Sequence, residues 1–163
     1  YPCPAGTYSN QTYNRAKSDC INALPGYYVS STGQTKNTGK CAVGYYCQTG
    51  ATTSQPSCTS KDSSSLCLPG GPCPAGYYCN SGASKPLPCP GGYYCSNGTI
   101  TGKCSAGYYC SQAARTPTPL RQRDVLYNDT AGSICPAGYY CPYGSTSGTP
   151  CGAGYYSPST GNT

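Results

Sequence analysis

Large apolar side chains are sparse along this chain, and they recur as Tyr-Tyr pairs set between runs of Gly, Pro, Ser, Thr and Asn. Most pairs are preceded by Pro-Ala-Gly or a close variant and followed by Cys. Proline holds φ near −65° and glycine is free to take φ > 0, so the triplet predicts a turn. Tyr-Tyr-Cys after it favours a short strand. Consecutive side chains of a strand point to opposite faces, so one tyrosine of each pair is expected inside and the other toward solvent or a partner.

One signature organises the whole chain. It is complete in five copies: Cys41-Ala-Val-Gly-Tyr-Tyr-Cys47, Cys73-Pro-Ala-Gly-Tyr-Tyr-Cys79, Cys89-Pro-Gly-Gly-Tyr-Tyr-Cys95, Cys104-Ser-Ala-Gly-Tyr-Tyr-Cys110 and Cys135-Pro-Ala-Gly-Tyr-Tyr-Cys141. Three degenerate copies are Cys3-Pro-Ala-Gly-Thr-Tyr-Ser9, Ala23-Leu-Pro-Gly-Tyr-Tyr-Val29 and Cys151-Gly-Ala-Gly-Tyr-Tyr-Ser157. Their marker glycines, Gly6, Gly26, Gly44, Gly76, Gly92, Gly107, Gly138 and Gly154, are separated by 20, 18, 32, 16, 15, 31 and 16 residues. The unit is thus about 16 residues, with two steps of double length. Units this short cannot bury a face alone and are expected to stack on their neighbours. Residues 1–163 therefore read as a single tandem array of about eight modules. The expected fold is an elongated rod or solenoid of short β-hairpins and turns, disulfide-rich, with almost no helix and no conventional hydrophobic core.

Composition supplies the staple. The chain has 22 Gly, 16 Pro, 15 Cys and 19 Tyr but no Phe, Trp or Met, so little apolar area is available for burial. Cysteine at this density predicts a disulfide framework in an oxidising compartment, each bridge contributing roughly 2–4 kcal/mol. Metal binding is disfavoured, because there is no His and the dominant spacing is C-x5-C in place of the C-x2-C or C-x4-C knuckles of zinc sites. All the cysteines, Cys3, Cys20, Cys41, Cys47, Cys58, Cys67, Cys73, Cys79, Cys89, Cys95, Cys104, Cys110, Cys135, Cys141 and Cys151, are expected to serve the framework. The modules suggest Cys3 with Cys20, then an interleaved pattern such as Cys41 with Cys58, Cys47 with Cys67, Cys73 with Cys89 and Cys79 with Cys95. Their odd number leaves three alternatives: a longer chain, one free thiol, or a bond to another chain. A second copy placed directly after Thr163 would set its Cys3 and Gly6 in register, 15 residues beyond Cys151 and Gly154.

Two segments break the period. Residues 48–72 carry Cys58 and Cys67 around a Ser- and Thr-rich loop, and residues 111–134 carry no cysteine. The second gathers Arg115, Arg121, Arg123, Val125, Leu126 and Tyr127, a candidate contact arm that could dock on another module or subunit.

Three Asn-x-Ser/Thr triplets, at Asn10, Asn97 and Asn128, fall in expected turns or loops and are candidate N-glycosylation sites. Ser and Thr beside Pro suit O-glycosylation. The net charge of +6 is scattered, which argues against nucleic acid and fits a solvated surface or contact with acidic polysaccharide. No apolar run is long enough for a signal peptide or a membrane span, and the chain opens at Tyr1 without Met, so it reads as a mature or excerpted segment. With neither His nor Glu, and with Asp19, Asp62, Asp124 and Asp129 isolated, no acid–base or nucleophilic constellation can be assembled; neither enzyme activity nor a cofactor other than covalent glycan is expected.

Cys3-Pro-Ala-Gly-Thr-Tyr-Ser9 followed by Cys20 resembles the short cysteine-rich modules of ephrin-receptor-like and tumour-necrosis-factor-receptor-like ectodomains. The Cys-Pro-Ala-Gly-Tyr-Tyr-Cys version is similar to arrays in large surface proteins of protists and algae. The resemblance implies an extracellular array, assembled in some relatives into glycosylated filaments such as the flagellar hairs called mastigonemes. Cysteine stands where the receptor pattern usually has serine, so receptor disulfide pairing does not carry over. Two roles are expected from these features: a secreted or cell-surface structural subunit that assembles head to tail with copies of itself, or a receptor or adhesion rod that binds a protein or polysaccharide.

Overall fold

Each signature closes on itself through one turn. In all eight modules the carbonyl after the first cysteine position accepts a hydrogen bond from the amide three residues on, as Pro4 does from Thr7, Pro74 from Tyr77 and Gly152 from Tyr155, at 2.9–3.2 Å. The marker glycine sits third in that turn with φ of 80–86°, the left-handed value a type II turn requires there. In seven modules the residues after the turn form a short strand and pair antiparallel with a return segment. Tyr27–Tyr28 pairs with Gly39–Lys40, Tyr93–Ser96 with Thr99–Lys103 and Tyr139–Tyr140 with Thr149–Pro150. The computed structural model describes residues 1–124, 126 and 130–163, and among them the only helix is a 3₁₀ turn at Lys17–Asp19. A small disulfide-rich hairpin repeat is the architecture.

The bridges differ from the interleaved expectation. Every C-x5-C signature is bridged within itself: Cys41–Cys47, Cys73–Cys79, Cys89–Cys95, Cys104–Cys110 and Cys135–Cys141, with Cα atoms 5.6–6.2 Å apart. An extended Tyr-Tyr-Cys would carry the second cysteine away from the first, but the type II turn reverses the chain and returns it to disulfide distance. Cys3–Cys20 pairs as expected, and Cys58 bonds Cys67 inside the first insertion. Cys151 remains a free thiol.

The chain forms two compact units, Tyr1–Cys73 with Cys79–Pro86, and Pro74–Tyr78 with Leu87–Thr163. Consecutive modules within each are joined by the same two backbone bonds. The marker glycine donates its N–H to the carbonyl at the second-cysteine position of the next module and accepts from the N–H at that module's first-cysteine position. In the first unit these are Gly6 with Val29 and Ala23, Gly26 with Cys47 and Cys41, and Gly44 with Cys79 and Cys73, at 2.8–2.9 Å. The second unit repeats them at Gly76 with Cys95 and Cys89, Gly92 with Cys110 and Cys104, Gly107 with Cys141 and Cys135, and Gly138 with Ser157 and Cys151, at 2.8–3.1 Å.

A second contact skips one module. A Cβ added at Gly6, Gly26, Gly76, Gly92 or Gly107 would overlap the carbonyl oxygen of Gly50, Gly82, Ala113, Gly144 or Gly161 respectively, each in the loop of the module two places on. Glycine is therefore required at the marker by space as well as by φ.

The interior consists of the bridges and what covers them. Cys41, Cys47 and Ala51 cluster under Tyr28 of the preceding module, and Cys104, Cys110 and Ala114 cluster in the same way under Tyr94. These rings also lie against the glycine opposite them in the return strand, Gly39 and Gly102, with closest carbons 3.2 Å from where a Cβ would stand. In these modules the second tyrosine is thus the inner one. The order reverses at Tyr77-Tyr78, where Tyr77 is buried and Tyr78 is not.

Candidate interaction surface at the end of the second unit

The marker glycines Gly6 to Gly107 are all buried, whereas Gly138 and Gly154 are exposed and nothing lies within 4 Å of a Cβ placed on either. The paired tyrosines differ in the same way: Tyr155 and Tyr156 are 82% and 86% exposed, and Tyr139 and Tyr140 are also exposed, as is the neighbouring Tyr143. A groove of about 360 Å³ opens here, lined by Tyr140, Cys151, Tyr155, Tyr156, Pro158 and Asn162. Its outer wall is tied down by backbone bonds from Cys141 to Asn162 (2.9 Å) and from Gly161 to Cys135 (2.8 Å), and by the Asn162 side-chain amide, which donates to Ser157 Oγ and to the Ser159 carbonyl. The surface is aromatic, and its one reactive group is the half-buried thiol of Cys151.

The candidate contact arm folds back onto its own unit. Gln122–Arg123 pairs with Thr130–Ile134, which in turn pairs with Tyr108–Cys110, giving the three-stranded sheet. The Tyr77 hydroxyl donates to the Asp124 carboxylate at 2.6 Å, and Leu126 N–H donates to the same group at 2.7 Å. The Arg115 stem rests over Gly76, its Cγ 3.2 Å from the place of a Cβ. Arg121 is exposed in the bend before the strand. Asp124 and the Arg115 stem thus contact the module that carries Tyr77. Val125, Tyr127 and Asn128 lie outside the described residues.

Of the other expected site residues, Asn10 and Asn97 are exposed. Asn97 and Gly98, with φ of 50° and 72°, form the two-residue turn between Tyr93–Ser96 and Thr99–Lys103, the positive-φ pair a tight hairpin favours. Asn10 directly follows the second-cysteine position of its module; the same position in later modules, at Ser30, Asn80, Ser111 and Pro142, also faces solvent.

The described carboxylates brace loops. Asp19 accepts from the Ala16 and Arg15 amides, which hold its carboxyl below the usual range. Desolvation works to raise Asp62, but bonds from Leu66 N–H, the Gln48 amide and Ser64 N–H outweigh it and leave the carboxyl below its usual value. Burial raises Tyr46, opposed by the Cys67 N–H that donates to its hydroxyl at 2.6 Å and reinforced by the charge of Asp62. Among the described residues no three His, Cys, Asp or Glu side chains converge as a metal site, and no helix is long and apolar enough to cross a membrane.

Sequence reading found the tyrosines and the module frame but missed Asp124 as the partner of Tyr77, since nothing local links residues 47 positions apart. No protein-family model and no curated protein matches this chain.

Proposed function

We propose that the chain is a structural subunit of an extracellular, glycosylated, disulfide-stapled filament or surface coat that assembles head to tail. One observation carries this reading: the same two backbone bonds join modules at seven successive steps. A surface that is used identically so many times is one a further module of the same kind can use again, and an open head-to-tail interface generates filaments without other machinery. Seven disulfides fit an oxidising compartment and supply the stability a core-poor chain lacks. Glycans at Asn10 and Asn97 would project from exposed positions without entering the module-to-module contact. Electron microscopy of native material, with denaturing gels run with and without reductant and deglycosidase, tests the proposal. Regular fibres and a mass shift on sugar removal support it; monomers at high concentration overturn it.

A second reading, a receptor or adhesion ectodomain, draws on the tyrosine-lined groove. Flat aromatic faces beside Asn162 suit a sugar ring or a peptide, and the scattered basic residues suit an acidic polysaccharide. Under that reading the chain stays monomeric and ligand protects one localised patch.

A further inference from the structure

One backbone arrangement recurs at five places inside the chain. The residue that opens a module's strand pairs with the residue just before the next first-cysteine position, and the loop of the module two places on closes over that pair. The closing bond is always an amide of the loop on the carbonyl at that cysteine position: Gly50 on Ala23, Gly82 on Cys41, Ala113 on Cys89, Gly144 on Cys104 and Gly161 on Cys135, at 2.8–3.0 Å. The paired residues are Thr7 with Asn22, Tyr27 with Lys40, Tyr77 with Pro88, Tyr93 with Lys103 and Tyr108 with Ile134. Two of the five places therefore set a lysine beside a tyrosine.

Both lysines lie down in the same way. The Lys40 stem runs over Gly82 and the Lys103 stem over Gly144, with Cδ 3.3 and 3.0 Å from where a Cβ would stand. This packing covers methylenes and leaves the ammonium at the surface. The two places differ in the residue before the glycine, Ser81 in one and Tyr143 in the other. Lys103 Nζ consequently stands 5.9 Å from the centre of the Tyr93 ring and 6.0 Å from that of Tyr143, within cation–π reach of both. Among the described residues no carboxylate and no hydrogen-bond acceptor pairs with this ammonium, so its three donors are open. Tyr143 is 66% exposed, and the matching residues Thr49, Ser81 and Gln112 of earlier modules are exposed as well, so exposure belongs to the position itself.

We infer that Tyr93, Lys103 and Tyr143 form a binding seat for an anionic saccharide, a sugar that bears a carboxylate or a sulfate. The two rings offer apolar surface to the C–H face of a pyranose, and the ammonium gives charge-assisted hydrogen bonds to the acid group. Packing of the stem on Gly144 holds the lysine in place beforehand, which lowers the ordering cost of binding. Charge selects an anion: the chain has ten Lys and Arg against four Asp, and Asp19, Asp62 and Asp124 are each taken up by hydrogen bonds of their own. A neutral sugar would leave the ammonium unanswered. The seat shares no residue with the groove beside Asn162 and needs no assembly, so it serves a coat subunit and an adhesion rod alike.

The test titrates the full chain with dextran sulfate, polygalacturonate and unmodified dextran by calorimetry, at about 0.15 M salt to screen general attraction. At least one of the two anionic polymers should bind and dextran should not; which one binds separates sulfate from carboxylate. Lys103→Met keeps the stem and removes the charge, Tyr143→Ala removes one ring, and each should weaken binding about tenfold. Lys85→Met removes the same charge from an exposed position outside the five places and should weaken binding about twofold at most. Ser81→Tyr supplies the ring that Lys40 lacks and should add a second site per chain. That variant leaves Lys103 untouched, so it decides the matter even if a loss variant misfolds. Equal weakening by Lys103→Met and Lys85→Met, with no added site in Ser81→Tyr, would reduce binding to net charge and overturn the seat. Failure of both anionic polymers to bind, or equal binding of plain dextran, would overturn it too.

Discussion

The insertions at 48–72 and 111–134 begin and end alike but are held by different forces. Nine residues after the second cysteine of the signature each has a proline, Pro56 or Pro119, and three residues before the first cysteine of the following signature, Cys73 or Cys135, each has a glycine, Gly70 or Gly132. The proline packs on the glycine in both: a Cβ on Gly70 would come within 2.8 Å of Pro56 Cγ, and one on Gly132 within 2.7 Å of Pro119 Cγ. Matching backbone bonds frame the ends, Ala42 to Ser54 and Gln48 to Pro69 in the first, Ser105 to Pro117 and Ser111 to Ala131 in the second, at 2.8–3.1 Å. Between these ends the solutions diverge. The first insertion is closed by Cys58–Cys67 and by Tyr46 hydroxyl on Cys67 N–H; the second uses a third strand and the Tyr77 hydroxyl on Asp124. The shared geometry at both ends teaches that a module accepts two different middles that return a strand to its Tyr-Tyr edge, one closed covalently and one by polar contacts.

The shared ends should be the most sensitive points. Gly70→Ala meets both the Tyr46 carbonyl and a φ of +147°, and strain combined with overpacking is expected to cost about 3 kcal/mol or more. Gly132→Ala has no positive φ to contend with but places its Cβ 2.5 Å from the Tyr109 carbonyl, for an expected cost of about 1–3 kcal/mol. Urea unfolding with amide-exchange readout at Gln48 and Ser111 checks the order. Equal tolerance of alanine at both positions would show that the proline–glycine contact does not set the insertion's ends.

The middles should separate by chemistry. Cys58→Ser with Cys67→Ser opens a loop of sequence separation 9, for which chain entropy gives about 2–3 kcal/mol. Tyr77→Phe removes a hydrogen bond to a charged group and should cost about 1.5 kcal/mol, since Leu126 N–H still serves Asp124. Amide exchange resolved to each insertion reads both. A loss at 111–134 as large in the double serine variant as in Tyr77→Phe would mean that the two closures are coupled rather than independent.

The frame was legible because it is periodic: glycine, tyrosine and cysteine at fixed offsets imply a turn, a strand and a staple. The pairing was not, because a C-x5-C spacing permits either a bridge within the signature or one between signatures, and only the type II turn at Gly44 or Gly76 decides. The likeness of the insertions was readable in Pro56 and Pro119 and in Gly70 and Gly132, yet it is invisible to a search keyed on cysteine, since only one insertion has any. Asp124 is the clearest loss, a lone acid in an arm whose partner is fixed only by how the chain returns.

The smallest expected effect is one of pH, confined to the first insertion. Asp62 accepts the Ser64 and Leu66 amides at 2.8 and 3.0 Å, and these bonds, with that from Gln48, favour its ionised form. A folded carboxyl depressed below its unfolded value contributes stability that is complete above the unfolded pKa, near pH 4, and is lost as pH falls through the lower folded value. Acid should therefore loosen the 62–66 turn while Cys58–Cys67 keeps the loop closed. Exchange at Ser64 and Leu66, corrected for its intrinsic pH dependence, should accelerate below about pH 4. Asp62→Asn should exchange faster at neutral pH and show no acid transition, because the amide oxygen accepts more weakly and does not titrate. An identical transition in Asp62→Asn would place the acid sensitivity elsewhere, and the covalent closure alone would then account for the order of this loop.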